Sequence, residues 1–229
     1  MPDTAKIVIT LAGPYLVSGD VPIEVQSMEP IAGGDSWDWV PHQGIPAGED
    51  YALCRCGASA TKPFCDGSHV SVDWDPVETA ARTPFDESAE TFEGPTMILR
   101  DDEPLCAFAR FCDNQGGIWS LIEQTHGDAE RATVAHEATH CPSGRLVVHD
   151  RATGAVLEPD FSPSIVLAED SAKECSGPLW VRGGIALESE DGSPYETRNR
   201  VTLCRCGRSA NKPFCDGTHV DIAFDDELR

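Results

Sequence analysis

The sequence predicts a β-rich α+β protein in which two related halves, each made of short strands and loops, flank a small α+β domain. Three observations carry that expectation. A sixteen-residue stretch is written twice, as "CRCGASATKPFCDGSH" at 54–69 and "CRCGRSANKPFCDGTH" at 204–219. The 229-residue chain holds 20 glycines and 17 prolines, too many for long uninterrupted helices. One helical pattern stands out, "DAERATVAHEATH" at about 128–140, between the two copies.

The elements follow in chain order. The alternation of "KIVIT" near the N-terminus reads as a strand, and the segment lacks the basic start and apolar core of a secretory signal. "GPYLVSGDVPI" (13–23) is echoed by "GPLWVRGGIAL" (177–187) ahead of the second copy. Each half thus reads as an extended segment, a Gly- or Asp-rich turn, a short strand entering Cys-x-Cys ("YALC", "VTLC"), then the cysteine loop. The first half carries the longer connection, "PIAGGDSWDWVPHQGIPAGED", where the second has "ESEDGSPYETRNR". Neither half has enough apolar residues for a large core of its own. The expectation is therefore a monomer whose halves form an intramolecular pseudo-twofold unit around one core. Between them come an acidic, Pro-containing linker, a strand "TMILR", a cysteine loop "PLCAFARFCDNQGG" and the helix, with Asp128 as N-cap and Pro142 as stop. A strand "RLVVHD" and a turn "RATG" follow. The division is 1–83, 84–170 and 171–229.

Composition narrows the function. A net charge of −22 leaves no basic surface for nucleic acid or an anionic membrane, and points to a partner protein with a basic face. No stretch approaches the roughly 20 apolar residues of a membrane span. A cytoplasmic location is expected, where ten cysteines serve as ligands rather than disulfides. Of only four lysines, Lys62 and Lys212 lie inside the repeated stretch, which suggests a local need for positive charge.

The repeat supplies two sets of donors with the spacing Cys-x-Cys-x8-Cys-x3-His: Cys54, Cys56, Cys65 and His69, then Cys204, Cys206, Cys215 and His219. Three cysteines per copy leave one odd, and Cys-x-Cys is awkward to bridge, so disulfides fit poorly. Four such ligands close a metal's first shell, and on ligand chemistry alone zinc and an iron–sulfur cluster both remain open.

Both copies match, at every defining position, the CDGSH iron–sulfur domain of the NEET proteins: Cys-x-Cys, a Ser, then Pro-x-Cys-Asp-Gly-(Ser/Thr)-His. The resemblance covers about 45–70 and 195–220 closely, and 13–23 and 177–187 more loosely. It implies a NEET-like fold for each half and a 2Fe-2S cluster held by the three cysteines and one histidine of each set. Three thiolates over-neutralise a two-iron core and reduction adds negative charge, which Lys62, Lys212, Arg55 and Arg205 stand close enough in sequence to offset. Asp66 and Asp216 are placed to cap the turn before each histidine. Gly67 and Gly217 allow a close backbone approach, and Pro63 and Pro213 stiffen the loop.

In the middle stretch Cys106, Cys112 and Cys141 (the last in "HCPSGRL") resemble a divergent single-cluster ferredoxin-like domain over about 104–148. That resemblance implies a third cluster, either 3Fe-4S on three thiolates or 4Fe-4S completed by Cys175, His140 or a small molecule. "HEATH" (136–140) also spells His-Glu-x-x-His, the zinc-protease signature, but Pro142 follows at once and no third ligand stands at a familiar spacing. The expected function is electron transfer or iron–sulfur cluster transfer to a redox partner or apo-acceptor, not enzymatic turnover. The rivals are a structural zinc module and, more remotely, a metallopeptidase.

Overall fold

Alternation sets the first strands. In Lys6–Ile9 (β1) the buried residues are Ile7 and Ile9, and in Tyr15–Ser18 (β2) they are Tyr15 and Val17, so one face of each looks inward. The computed structural model, which describes residues 5–228, continues the first half through Ile23–Pro30 (β3), Ser36–Ile45 (β4) and Tyr51–Leu53 (β5). The middle stretch contributes the strands Glu90–Glu93 (β6), Met97–Asp101 (β7), Leu146–Asp150 (β8) and Val156–Leu157 (β9). Its helices are Phe85–Ser88 (α1), Ile118–Ile122 (α2) and Asp128–His140 (α3). Ser164–Asp170 (β10), Cys175–Arg182 (β11), Ala186–Ser189 (β12), Arg200–Leu203 (β13) and the short helix Thr218–Asp221 (α4) complete the chain.

The halves are interlocked by strand exchange. One sheet runs β12–β1–β2–β5 and the other β13–β11–β10–β3–β4. The antiparallel set β1–β2–β5 corresponds strand for strand to β10–β11–β13. Each set then borrows a parallel strand from the opposite half: β12 lies beside β1, and β3 beside β10. This is the pseudo-twofold arrangement. Ser164–Asp170, which the sequence division leaves at the end of the middle stretch, takes in the second half the place that β1 takes in the first. One core serves both halves, with Ile7, Ile9, Val17, Ile23 and Leu53 packed in the same cluster as Ile165, Leu167, Leu179, Val181 and Leu203.

β4 is the addition that breaks the symmetry. It fills the long connection of the first half and pairs antiparallel with β3 at the sheet edge. Proline is compatible with an edge strand, where half of the backbone N–H groups face away from the neighbouring strand, and Pro41 lies in this one.

The middle stretch forms its own sheet, β6–β7–β8–β9, with α2 and α3 closing a second core around Leu99, Ile122, Val134, Ala138 and Leu146. Two expectations need correcting. Gly127, not Asp128, is the N-cap of α3, and Asp128 is the first helical residue. The acidic linker contains α1 and β6. α3 does end at His140, with Cys141 at its C-cap.

The two cysteine loops touch through their backbones. A Cβ on Gly57 would lie 2.5 Å from the Cys206 carbonyl oxygen, and one on Gly207 2.4 Å from that of Cys56. Both glycines have positive φ, 79° and 76°. An alanine at either place meets a backbone oxygen and also bears about 1–2 kcal/mol of left-handed strain. Gly57→Ala and Gly207→Ala are each expected to lower the thermal midpoint by about 5 °C or more, since a chain of this size moves roughly 2–4 °C per kcal/mol. An unchanged midpoint in both would show that the loops do not brace one another.

Candidate metal centres

Each cysteine loop is built the same way. β5 and β13 deliver Cys54 and Cys204, whose N–H groups donate to the Pro63 and Pro213 carbonyls at 2.8 Å in both copies. Cys65 and Cys215 return to the same strands, donating to Ala52 and Thr202 at 2.9 Å. The Lys62–Pro63 and Lys212–Pro213 peptides are both cis. Asp66 accepts from Ser68 N–H (2.9 Å), as a cap should, and also from Ala60 N–H across the loop (2.7 Å). Asp216 does the same with Thr218 (3.0 Å) and Ala210 (2.7 Å). The Ser68 hydroxyl and these N–H groups hold the Asp66 carboxyl well below the usual carboxylate range.

Within each set the donors fall into two pairs. Cys54 Sγ and Cys56 Sγ are 3.8 Å apart, and Cys65 Sγ and His69 Nδ1 are 3.4 Å apart. In the second set the separations are 3.7 Å for Cys204 and Cys206, and 3.3 Å for Cys215 and His219. Two thiolates about 2.3 Å from one tetrahedral metal stand about 3.8 Å apart, and a thiolate with an imidazole about 3.5 Å. Each pair therefore has the span of two ligands on one metal.

The surroundings suit a cationic group. Burial pushes the Cys56 thiol up to about 11 and Cys215 well above its ordinary value, and the hydrogen bond with Cys204 together with burial raises Cys206. Such thiols ionise together only when a bound cation holds them.

The arginines of the motif act differently from the sequence expectation. Arg55 donates to the Thr10 carbonyl at 2.7 Å and to that of Pro76. Arg205 pairs with Glu169 (2.7 Å) and Asp226, and donates to the Gly177 and Ala168 carbonyls at 2.7 and 2.9 Å. They brace the loop against the sheets, and the charge of Arg205 is already matched by two carboxylates. Lys62 and Lys212 donate to the carbonyls of Ser59 and Ser209 within their own loops.

The two sets differ in exposure. Cys65 and His69 are half-buried, whereas Cys215 is buried and His219 is 2% exposed. The cover over the second set comes from the middle stretch: a Cβ on Gly217 would lie 2.8 Å from the Phe108 Cβ. Burial pushes the His219 imidazole down to about 4. Tyr15 adds a further difference, donating from the first half to the carbonyl of Cys204 at 2.8 Å, while its counterpart in the second half is Leu179.

Cys106, Cys112 and Cys141 line one small cavity together with Ser143, Arg110 and Arg145. Phe108 and Arg110, between the first two cysteines, have φ of 59° and 60°. Neither residue type favours this conformation, so the shape of the loop is a signal invisible in the sequence. Burial, with the neighbouring Cys141 and Asp113, raises the Cys112 thiol. Arg145 is held on Asp101 by two 2.6 Å bonds and lies against Cys106. Neither of the fourth ligands considered from sequence, Cys175 and His140, lines this cavity. Cys175 begins β11, and His140 turns to Asp38 of β4, 3.4 Å from Nε2 to Oδ1. In "HEATH", Glu137 is fully buried, both of its oxygens lack a partner, and burial pushes it up to about 8.

Among the described residues, no helix is long and apolar enough to cross a membrane. Comparison with protein-family profiles matches residues 12–70 and 176–220 to the "iron-binding zinc finger CDGSH type" and residues 92–151 to the "divergent 4Fe-4S mono-cluster". Searches of curated proteins and of solved structures gave no match. The chain is an iron–sulfur protein with two CDGSH segments and a divergent 4Fe-4S mono-cluster domain set between them.

Proposed function

We propose that each CDGSH set holds one 2Fe-2S cluster, that Cys106, Cys112 and Cys141 hold a third cluster, and that the protein carries single electrons between partners rather than turning over a substrate. The observation that carries this reading is the splitting of each donor set into two pairs. A single zinc ion would draw all four atoms together, whereas a two-iron core takes two ligands on each iron. The middle cavity has three thiols, which suits 3Fe-4S or a 4Fe-4S cluster with one iron open to a small ligand. The Phe108 contact brings this cavity next to the second CDGSH loop, and the half-buried first set faces solvent. The net charge of −22 selects partners with a basic face. A protein using its cysteines this way belongs in a reducing compartment such as the cytoplasm.

Exposure of Cys65 and His69 favours a second role, release of the first cluster to an apo-acceptor.

The primary test is anaerobic purification followed by a visible spectrum and assays of iron, sulfide and zinc. A coloured protein with iron and acid-labile sulfide is expected; a colourless, sulfide-free protein with one zinc per set overturns the reading. Acidification should release the two CDGSH clusters in order. Protonation takes the imidazole lone pair from iron, so loss speeds up as pH falls, and the solvent-accessible His69 site goes first. His69→Cys is expected to slow the fast phase several-fold and His219→Cys to leave it untouched. A fast phase that survives His69→Cys would refute the assignment. The potentials should differ too, because burial among carboxylates disfavours the added negative charge of reduction. In a redox titration followed by EPR, the first set is expected to reduce at the higher potential; the opposite order would contradict the burial argument.

A further inference from the structure

We propose that Asp38, His136 and His140 form a mononuclear site for a divalent transition-metal ion, apart from the cluster sites. α3 presents the two histidines one turn apart, their rings stacked with centroids 3.8 Å apart. β4 brings the third donor from 98 residues away in sequence, the difference between positions 38 and 136. Asp38 Oδ1 lies 3.4 Å from His140 Nε2 and 3.9 Å from His136 Nε2. One ligand atom from each of the three residues falls within 4.8 Å of the others. Donors about 2.0–2.1 Å from one tetrahedral ion stand about 3.4 Å apart, so small side-chain shifts close the shell.

The supporting groups are already in place. His140 Nδ1 is 2.8 Å from the His136 carbonyl, which fixes its proton there and leaves Nε2 bare toward Asp38. His136 Nε2 is 2.8 Å from the Trp37 carbonyl, a contact that a metal on Nε2 replaces and a metal on Nδ1 keeps. Trp37 stacks on His136 at 4.1 Å and the Nδ1 contact anchors His140, so both rings are held before any ion arrives. Trp39 donates to the His140 carbonyl at 3.0 Å and secures the end of the helix. The side chains of His136 and His140 are 23% and 28% exposed and that of Asp38 53%, which leaves a path from solvent.

Donor chemistry names the class of ion. Two imidazoles and a carboxylate suit Zn(II), Ni(II), Co(II) or Cu(II), and suit neither the oxygen-seeking Mg(II) and Ca(II) nor the thiolate-seeking Cu(I). Three protein donors leave a position for water. This is not a peptidase site. The general base of such an enzyme must face the metal-bound water, and Glu137 is fully buried.

The test uses the cluster-loaded protein, handled anaerobically and stripped of loosely bound metal, with iron and sulfide assayed before and after. Equilibrium dialysis and calorimetry against Zn(II) and Ni(II) are expected to show one saturable equivalent per chain. His140→Gln and Asp38→Asn should each weaken binding about tenfold or more with iron and sulfide unchanged. His42→Gln, on the same strand, should leave binding as in the parent. Asp38 is more than half exposed, so Asp38→Asn remains informative even if His140→Gln fails to fold. No saturable equivalent in the parent protein, unchanged binding in Asp38→Asn, or equal weakening in His42→Gln overturns the proposal. Failure of the cluster reading shows separately, as absence of sulfide and visible colour.

Discussion

The reciprocal backbone contacts of Gly57 with Cys206 and of Gly207 with Cys56 are the constraint on which the arrangement of both cysteine loops depends. Each glycine directly follows a Cys-x-Cys pair and meets the carbonyl of the opposite pair's second cysteine. No side chain fits between them, so the two loops come as close as two backbones can. The exchanged strands make that approach obligatory, because β12 completes the sheet of the first half and β3 that of the second. Neither half closes its sheet alone, and the shared core has no seam along which the halves could part. Each donor set is therefore positioned by the whole pseudo-twofold unit, not by the sixteen residues that carry it.

From that symmetric frame the surroundings diverge. Arg55 ends on neutral carbonyls and Arg205 on two carboxylates. His69 is half-buried, and His219 is buried, with Phe108 of the middle stretch against Gly217 in the same loop. Tyr15 reaches across to the Cys204 carbonyl, and Leu179 has no hydroxyl to return the bond. Identical donor sets thus sit in unequal dielectric and unequal charge, the variables that would tune a bound cluster.

What the sequence revealed follows from how local each signal is. The candidate donor sets, the turn aspartates and the strands entering Cys-x-Cys are all written within a few residues, and the aspartates and strands lie where their spacing put them. β4 read as a connection because a proline and a glycine interrupt its alternation; only its place at a sheet edge makes Pro41 acceptable. Overlooking β4 also hid Asp38, since no spacing rule links a strand residue to a histidine pair so far along the chain. The left-handed Phe108 and Arg110 were equally silent, because neither residue type favours positive φ and only the tertiary contacts hold them there. Charge placement was legible only in kind: the sequence showed cations in the motif but not the carboxylates that Arg205 meets from β10 and the C-terminal segment.

The middle domain is wired into the second half by two buried arginines. Arg110, within the Cys106–Cys112 loop, makes a two-pronged pair with Asp170 at the end of β10, at 2.7 and 2.8 Å. Arg200, 1% exposed at the start of β13, donates to the carbonyls of Ala138, Cys141 and Leu146 at 3.0, 2.8 and 2.9 Å. A buried guanidinium without its acceptors would cost several kcal/mol, so these bonds are held, not optional. The strand that Arg200 opens is the one that delivers Cys204, and the backbone it grips carries Cys141. One side chain therefore ties the backbone around Cys141 to the strand that enters the second CDGSH loop. The first half meets the middle domain instead along β4, where Trp39 donates to the His140 carbonyl at 3.0 Å and Asn114 to the Ser36 carbonyl at 3.1 Å.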